Sequence, residues 1–344
     1  MLYAGLDLSR RRLEVCVLDE AGGTLATTWA PPTAEGLRDL AARMAIHGQP
    51  VTGVVESMTG GRFVHDQLEL AGWEVELADA AKARALAPLA AKTDRIDAWA
   101  LAELARRDLV PAVWLPDPAV RGWRERARFR QHLVHHRTAL KDRVHAVLAT
   151  FGVEVPMSDL FGVGGRELLA GLGLPDAWTD GIERSLRLID DLGREIASID
   201  AELADVDQPD LALLLTAPGI GRVLGYLIAS EIGDVGRFAS PKRLVGYTGL
   251  VPDVHQSGAT DHRGSLTRLG PRYLRWALIE AATVACRHPR YAARSERTVR
   301  RLGRQRGPKV ARIEVARDLA VAVWHMLTRR EPFRAAGPTR VLVA

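Results

Sequence analysis

Leu2-Tyr3-Ala4-Gly5-Leu6-Asp7-Leu8, Arg12-Leu13-Glu14-Val15-Cys16-Val17-Leu18-Asp19 and the residues 24–30 form the stretch whose reading decides the fold. All three read as β-strands, and Gly22-Gly23 marks a tight turn between the second and the third. The period of the apolar pattern then changes. A helix is expected over about 33–47, a strand over Val51-Thr52-Gly53-Val54-Val55, a helix over about 60–71 and a strand over Glu74-Val75-Glu76-Leu77. A longer helical region follows.

Four carboxylates stand out against this frame. Asp7 closes the first apolar strand and Glu56 closes the Val51–Val55 strand. Asp94 and Asp97 lie three apart in Lys92-Thr93-Asp94-Arg95-Ile96-Asp97-Ala98, so they share one face of a helix. Like-charged carboxylates held a few ångströms apart repel, and magnesium relieves that repulsion while keeping open positions for phosphate oxygens. The expected chemistry is that of a two-metal phosphodiester enzyme. Three hairpin-like strands followed by alternating helix and strand give the order of an α/β ribonuclease H-like domain. That fold hosts nucleases, recombinases and ATPases, so the site must settle the function.

The chain has 344 residues, enough for two or three domains, with 47% hydrophobic and 26% charged residues, as in a folded protein. The formal net charge is +5 and the pI about 9.5. The positive excess gathers around residues 121–145 and 287–312, and such segments suit a nucleic-acid backbone, since each neutralised phosphate releases counterions. The bland alternative is a solvated helix face. Cys16 and Cys286 are the only cysteines, which excludes a cysteine-based zinc module and fits a reducing cytoplasm. His132, His135 and His136 lack an acid or cysteine to complete a zinc set. No apolar run approaches the ~20 residues of a membrane span, and no signal-peptide pattern opens the chain, so a cytoplasmic protein is expected.

Beyond the first 115 residues, the segment 119–150 reads as a basic helix carrying Arg121, Arg124, Arg128 and Arg137. A second helix over about 176–205 repeats Ile182, Leu186, Ile189, Leu192, Ile196, Ile199 and Leu203 at three- and four-residue steps, the mark of a helix seam. The region 119–205 is therefore expected to be a helical, coiled-coil-like hairpin, made either within the chain or with a second protomer. From 206 to 344 a mainly α domain is expected. It opens on Pro218-Gly219-Ile220-Gly221 between two helices, a helix-hairpin-helix-like element whose Gly219 and Gly221 can offer backbone N–H groups to a phosphate. Gln256-Ser257-Gly258 follows, and a serine beside a glycine can approach a ligand closely. It is commonly just a turn, but Arg263, Arg268, Arg272 and Arg275 nearby would hold and polarise a phosphate.

Taken in order, Gly5-Leu6-Asp7-Leu8-Ser9, Val55-Glu56-Ser57, Lys92 through Ala98, Pro218-Gly219-Ile220-Gly221 and Gly249-Leu250-Val251-Pro252 through Gln256-Ser257-Gly258 make the chain resemble the DEDD-type insertion-sequence transposases. That family includes bridge-RNA-guided recombinases and pilin-gene invertases. The resemblance implies that Asp7, Glu56, Asp94 and Asp97 are the metal tetrad of a RuvC-like domain, holding two magnesium ions. It implies that Ser257 is a nucleophile forming a phosphoserine link to DNA. It also implies a homo-dimer or tetramer joined by the coiled coil, in which the acids of one protomer meet the serine of another, with DNA ends and target chosen by a structured guide RNA. Where the family pattern has Asn-Pro after the fifth strand, this chain has Asp79-Ala80. Thr260 and Ser265 are alternative hydroxyls to Ser257.

Three other readings compete. A RuvC-like junction-resolving or hydrolytic nuclease would use the same acids but needs no serine domain. An actin-like ATPase would repeat the fold and carry a second Asp-Gly phosphate loop. A non-catalytic DNA-binding protein would have no reason to set four acids beside basic surfaces.

Overall fold

The computed structural model describes residues 1–86, 93–257 and 260–335, with the side chains of 254–257 and 260–263 outside the description. The chain divides into two compact units, Met1–Leu115 and Pro116–Ala344.

The first unit follows the alternation of its sequence. β1 (Leu2–Leu8), β2 (Leu13–Leu18) and β3 (Thr24–Ala30) are succeeded by α1 (Ala34–Ala45), β4 (Val51–Glu56), α2 (Gly61–Leu70), β5 (Glu74–Ala78), α3 (Ala80–Leu86) and α4 (Asp94–Arg106). The sheet order is β3-β2-β1-β4-β5. β1 pairs antiparallel with β2, and β2 with β3, whereas β1, β4 and β5 run parallel. This mixed sheet with flanking helices is consistent with the expected ribonuclease H-like class. One face packs Leu6, Leu8, Leu13, Val15 and Val55 against Leu37, Leu40, Val64 and Leu68 of α1 and α2. The other face receives α4. A Cβ at Gly5 would lie 1.8 Å from the Ala98 carbonyl oxygen, so helix and strand meet backbone to backbone.

The second unit is helical apart from one hairpin. It comprises α5 (Pro118–Thr150), α6 (Val163–Ala170), α7 (Asp176–Asp205), α8 (Leu211–Leu214), α9 (Arg222–Ile232), α10 (Pro241–Thr248), the strands β6 (Pro252–Ser257) and β7 (Thr260–Leu266), α11 (Arg272–Ala285) and α12 (Pro289–Arg329). α5 and α7 pack on each other within the chain. Val144 and Leu148 meet Ile182 at one end, and at the other Ala127, Ile199 and Leu203 enter the same core as Leu211, Tyr226, Leu278 and Val315. The helical segment 119–205 and the C-terminal segment thus share one unit. The seam residues Ile182, Ile189, Ile196, Ile199 and Leu203 are buried in their own chain. Among the described residues, no helix is long and apolar enough to cross a membrane.

Candidate functional site

The acid site is built by strand register. Gly5 pairs with Val54 and Leu6 with Val55, so the next step sets Asp7 beside Glu56 at the carboxyl ends of two parallel strands, backbones about 5 Å apart. Side chains alternate along a strand. Asp7 therefore shares the face of Gly5, which meets α4, and Glu56 shares the face of Val54, which is buried with Leu101, Leu104 and Ala105 of α4. α4 runs antiparallel to β1: Tyr3 packs with the cluster holding Leu101 and Leu104, and Gly5 meets Ala98 and Ala102. Its first turn, with Asp94 and Asp97, accordingly lies toward the Asp7 end.

Helix chemistry explains why α4 starts there. Thr93 caps it, its hydroxyl accepting from the Ile96 N–H at 3.3 Å, and both aspartates sit in the first turn, where the helix dipole favours negative charge. Lys92 and the rest of 87–92 lie outside the described residues. Asp94 is exposed, and Asp97 and Glu56 are half-buried. The donor set, four carboxylates at one sheet edge, suits a hard divalent cation in kind. Among the described residues, no three His, Cys, Asp or Glu side chains are drawn close enough together to ligate an ion. The backbone gathers the four acids at one edge.

Glu14 is a fifth acid, beyond the four that the sequence pattern points to. It pairs across β1/β2 with Asp7 and shares its face with Cys16, which packs on Ala98 and Ala102. It is 9% exposed, and Arg12 neutralises it at 2.5 Å while lying 4.9 Å from the Trp29 ring centre. A glutamate inside an otherwise apolar strand is the available signal. Asp79, the departure from the family pattern, has a local use: its carboxylate accepts from the N–H groups of Ala81 and Lys82, both at 3.1 Å, at the start of α3.

The basic residues divide. Arg124 donates to the carbonyls of Ser230 and Glu231 at 2.7 Å each, capping the end of α9. Arg128 grips the wholly buried Glu231 with two bonds of 2.7 and 2.9 Å. The Glu231 carboxylate holds Arg128 above the ordinary arginine pKa, whereas burial pulls Arg124 below it. Freeing Arg128 for a phosphate would strand a buried carboxylate, at a cost of about 3–5 kcal/mol. Their donors thus serve the packing of α5 on α9. Arg130 does likewise with Asp200 of α7. Arg121 and Arg137 are half-buried, and Arg137 lies against Gly193. His132 and His136 bring their Nε2 atoms to 2.9 Å, one helical turn apart.

The two glycines of the 218–221 turn also differ. At Gly219, φ is +79°, and a Cβ would meet the Ala281 carbonyl oxygen at 2.1 Å, so this glycine lets the turn dock on α11. Gly221 faces open space at the N-terminus of α9. α8, which precedes the turn, is a single turn of helix.

Ser257 ends β6 and pairs with Thr260, the first residue of β7. Gly258 lies outside the described residues, and so do the side chains of Ser257, Thr260 and Arg263. Arg263 pairs with Val254, three residues back along β6. Ser265 belongs to the far end of the hairpin, next to Leu266, which pairs with Pro252. Thr260 is therefore a neighbour of Ser257, and Ser265 is not. Arg272 is exposed and donates to the Tyr273 hydroxyl at 2.8 Å. Arg275 turns inward to the carbonyls of Thr248 and Leu269.

Comparison with known proteins covers both units. A DEDD-type family model described as a transposase, of the IS110 kind, matches residues 4–152, and one described as the transposase IS116/IS110/IS902 family matches 211–296. The putative transposase y4qE of Sinorhizobium fredii is 30% identical over 59% of this chain, which spans half the length of that relative. The putative transposase y4rJ of the same organism is 27% identical over 94% of this chain and 91% of its own. The pilin gene-inverting protein of Moraxella bovis is 34% identical over 36% of this chain and 38% of its own length. Over both units the chain is similar to this family of transposases, and the expectation of a DNA transposase or recombinase holds.

Proposed function

We propose that this chain is a member of the transposase family and exchanges DNA strands through a covalent phosphoserine at Ser257, assisted by divalent metal, magnesium by choice, at Asp7, Glu56, Asp94 and Asp97. The observation that carries the reading is the shared edge: register sets Asp7 beside Glu56, and the first turn of α4 brings Asp94 and Asp97 to the same face. Bound metal would supply charge neutralisation at the scissile phosphate. The four carboxylates would hold it, and their mutual repulsion in its absence favours uptake.

At the serine, the hydroxyl proton leaves to a base or solvent and an Oγ–P bond forms. The bond from phosphorus to one deoxyribose oxygen breaks, and that oxygen leaves with a proton. The phosphodiester count is unchanged, so attack by a second strand's hydroxyl reverses the step, restores the serine and joins the new strand without an external energy source. Arg272, exposed at the start of α11, is a candidate to steady the phosphate, with Arg263. Gly221 at the head of α9 offers backbone N–H groups to DNA. A structured guide RNA is part of the reading through the family resemblance.

Hydrolysis by the same acids is the second reading, and the match over 211–296 weighs against it, since a nuclease acting through metals alone has no use for the Ser257 hairpin. The test is a denaturing gel of labelled element-end DNA incubated with the protein and magnesium. A protein–DNA adduct is expected from the natural chain and none from Ser257→Ala, with DNA binding retained. Cleaved ends without adduct would select hydrolysis, and an adduct that survives Ser257→Ala and disappears in Thr260→Val would move the nucleophile across the hairpin.

A further inference from the structure

The two basic segments of the sequence end in different states. On α5, Arg124, Arg128 and Arg130 are taken up by α9 and α7. α12 treats its arginines differently. Between residues 289 and 312 there are nine Lys and Arg against one acid, Glu296. The helix breaks at Gly303, where φ is +76° and ψ 174°, and the chain folds back on itself. Thr298 bonds Glu314 at 2.8 Å, and Arg294 bonds Asp318 at 2.5 Å. At Gly307 a Cβ would lie 2.6 Å from the Val299 Cα, so the two arms touch backbone to backbone below the turn. The base of this helical hairpin is charge-balanced, Glu314 and Asp318 facing Arg294 and Arg301. Toward the turn it is not: Arg300, Arg304, Arg306 and Lys309 are all exposed, and none makes an ion pair among the described residues.

We propose that this tip grips the phosphate backbone of duplex DNA. Four cations gathered around one turn repel one another, and a polyanion relieves that repulsion. Each arm runs about six residues from Gly303, or about 9 Å, a length that faces several phosphates of a duplex carrying one charge per ~1.7 Å of axis. Single-strand binding would call for aromatic platforms, and residues 294–312 contain no aromatic side chain. The grip is sequence-independent, because guanidinium and ammonium groups on a helical turn reach phosphates without reading base edges. The inference rests on the chain acting on DNA, but not on Ser257 or the four acids.

The test uses the full chain with Arg300, Arg304, Arg306 and Lys309 changed together to Gln. Because these side chains are exposed and unpaired, its melting temperature is expected to match the natural chain. Binding is followed by fluorescence anisotropy on labelled duplex DNA and on duplex RNA, in chelator, across a salt series. The slope of log K against log salt on DNA should become shallower by about 3–4, at ~0.9 for each phosphate no longer neutralised, with affinity at moderate salt down on the order of 100-fold. An unchanged slope and affinity on DNA, or a loss seen on duplex RNA alone, would overturn the proposal. Absence of a covalent adduct from the natural chain would sink the serine reading and leave this measurement standing, since chelator removes catalysis from it.

Discussion

A methyl group at position 5 would occupy the space of the Ala98 carbonyl oxygen, 1.8 Å away, with the Ala102 nitrogen at 2.5 Å. The glycine two residues before Asp7 is thus what lets α4 lie flat on β1 and carry Asp94 and Asp97 to the sheet edge. Gly5→Ala should push the helix off the strand and destabilise the first unit by about 1–3 kcal/mol or more, as overpacking does. Chemical denaturation followed by circular dichroism would read it, and full stability would show that α4 can shift without loss. At the other end of α4, Glu103 bonds Arg106 at 2.9 Å and Arg107 at 2.7 Å. The Arg106 hydrogen bonds, with help from Arg107, hold its carboxyl below the ordinary glutamate pKa. A carboxyl lowered on folding stabilises when ionised. Its contribution is complete above the unfolded value near 4.5 and fades as pH falls through the lower folded value. Glu103→Gln should therefore be less stable than the natural chain at pH 7, with the gap closing in acid; a gap constant with pH would assign the loss to packing.

At the scale of elements, legibility follows the apolar period. β1 to β5 and the helices between them stand within a few residues of their expected places, because one face of each strand must be apolar to meet a helix layer. The β6–β7 hairpin interrupts what the sequence reads as a mainly α domain. Val254, His255, Gln256 and Ser257 pair with Arg263, His262, Asp261 and Thr260 in a two-stranded ribbon, and a ribbon that joins no sheet imposes no apolar alternation. The α5 arginines illustrate a different gap. Composition shows a basic run, but the acid that claims Arg128 lies 103 residues away, and only the fold pairs them. The acid row shows both outcomes: Asp7, Glu56, Asp94 and Asp97 are visible in the sequence as strand ends and one helix face. Glu14 is not, since its meaning depends on a register that puts it across from Asp7.

At the scale of the molecule, the acids belong to the unit Met1–Leu115 and Ser257 to the unit Pro116–Ala344. The proposed reaction asks both to act on one phosphodiester, and it leaves open on chemical grounds whether one chain supplies both. Mixing two inactive variants decides it. Asp97→Asn removes one metal-holding carboxylate and should lower strand exchange ~100-fold or more, since such charge stabilisation is worth several kcal/mol, while the helix backbone bond from the Asp97 N–H to the Thr93 carbonyl persists. Ser257→Ala should remove exchange altogether. If the acids of one protomer serve the serine of its partner, a mixed dimer has one complete site, made from the intact acids of the serine variant and the intact serine of the acid variant. A 1:1 mixture should then regain roughly a quarter of the sites of the natural protein, because half the dimers are mixed and each restores one site of two. If each chain serves its own phosphodiester, every site in the mixture carries one defect and exchange stays at the level of the single variants. Recovery of the adduct in the mixture, carried by the Asp97→Asn chain, would assign the serine and the acids to different protomers.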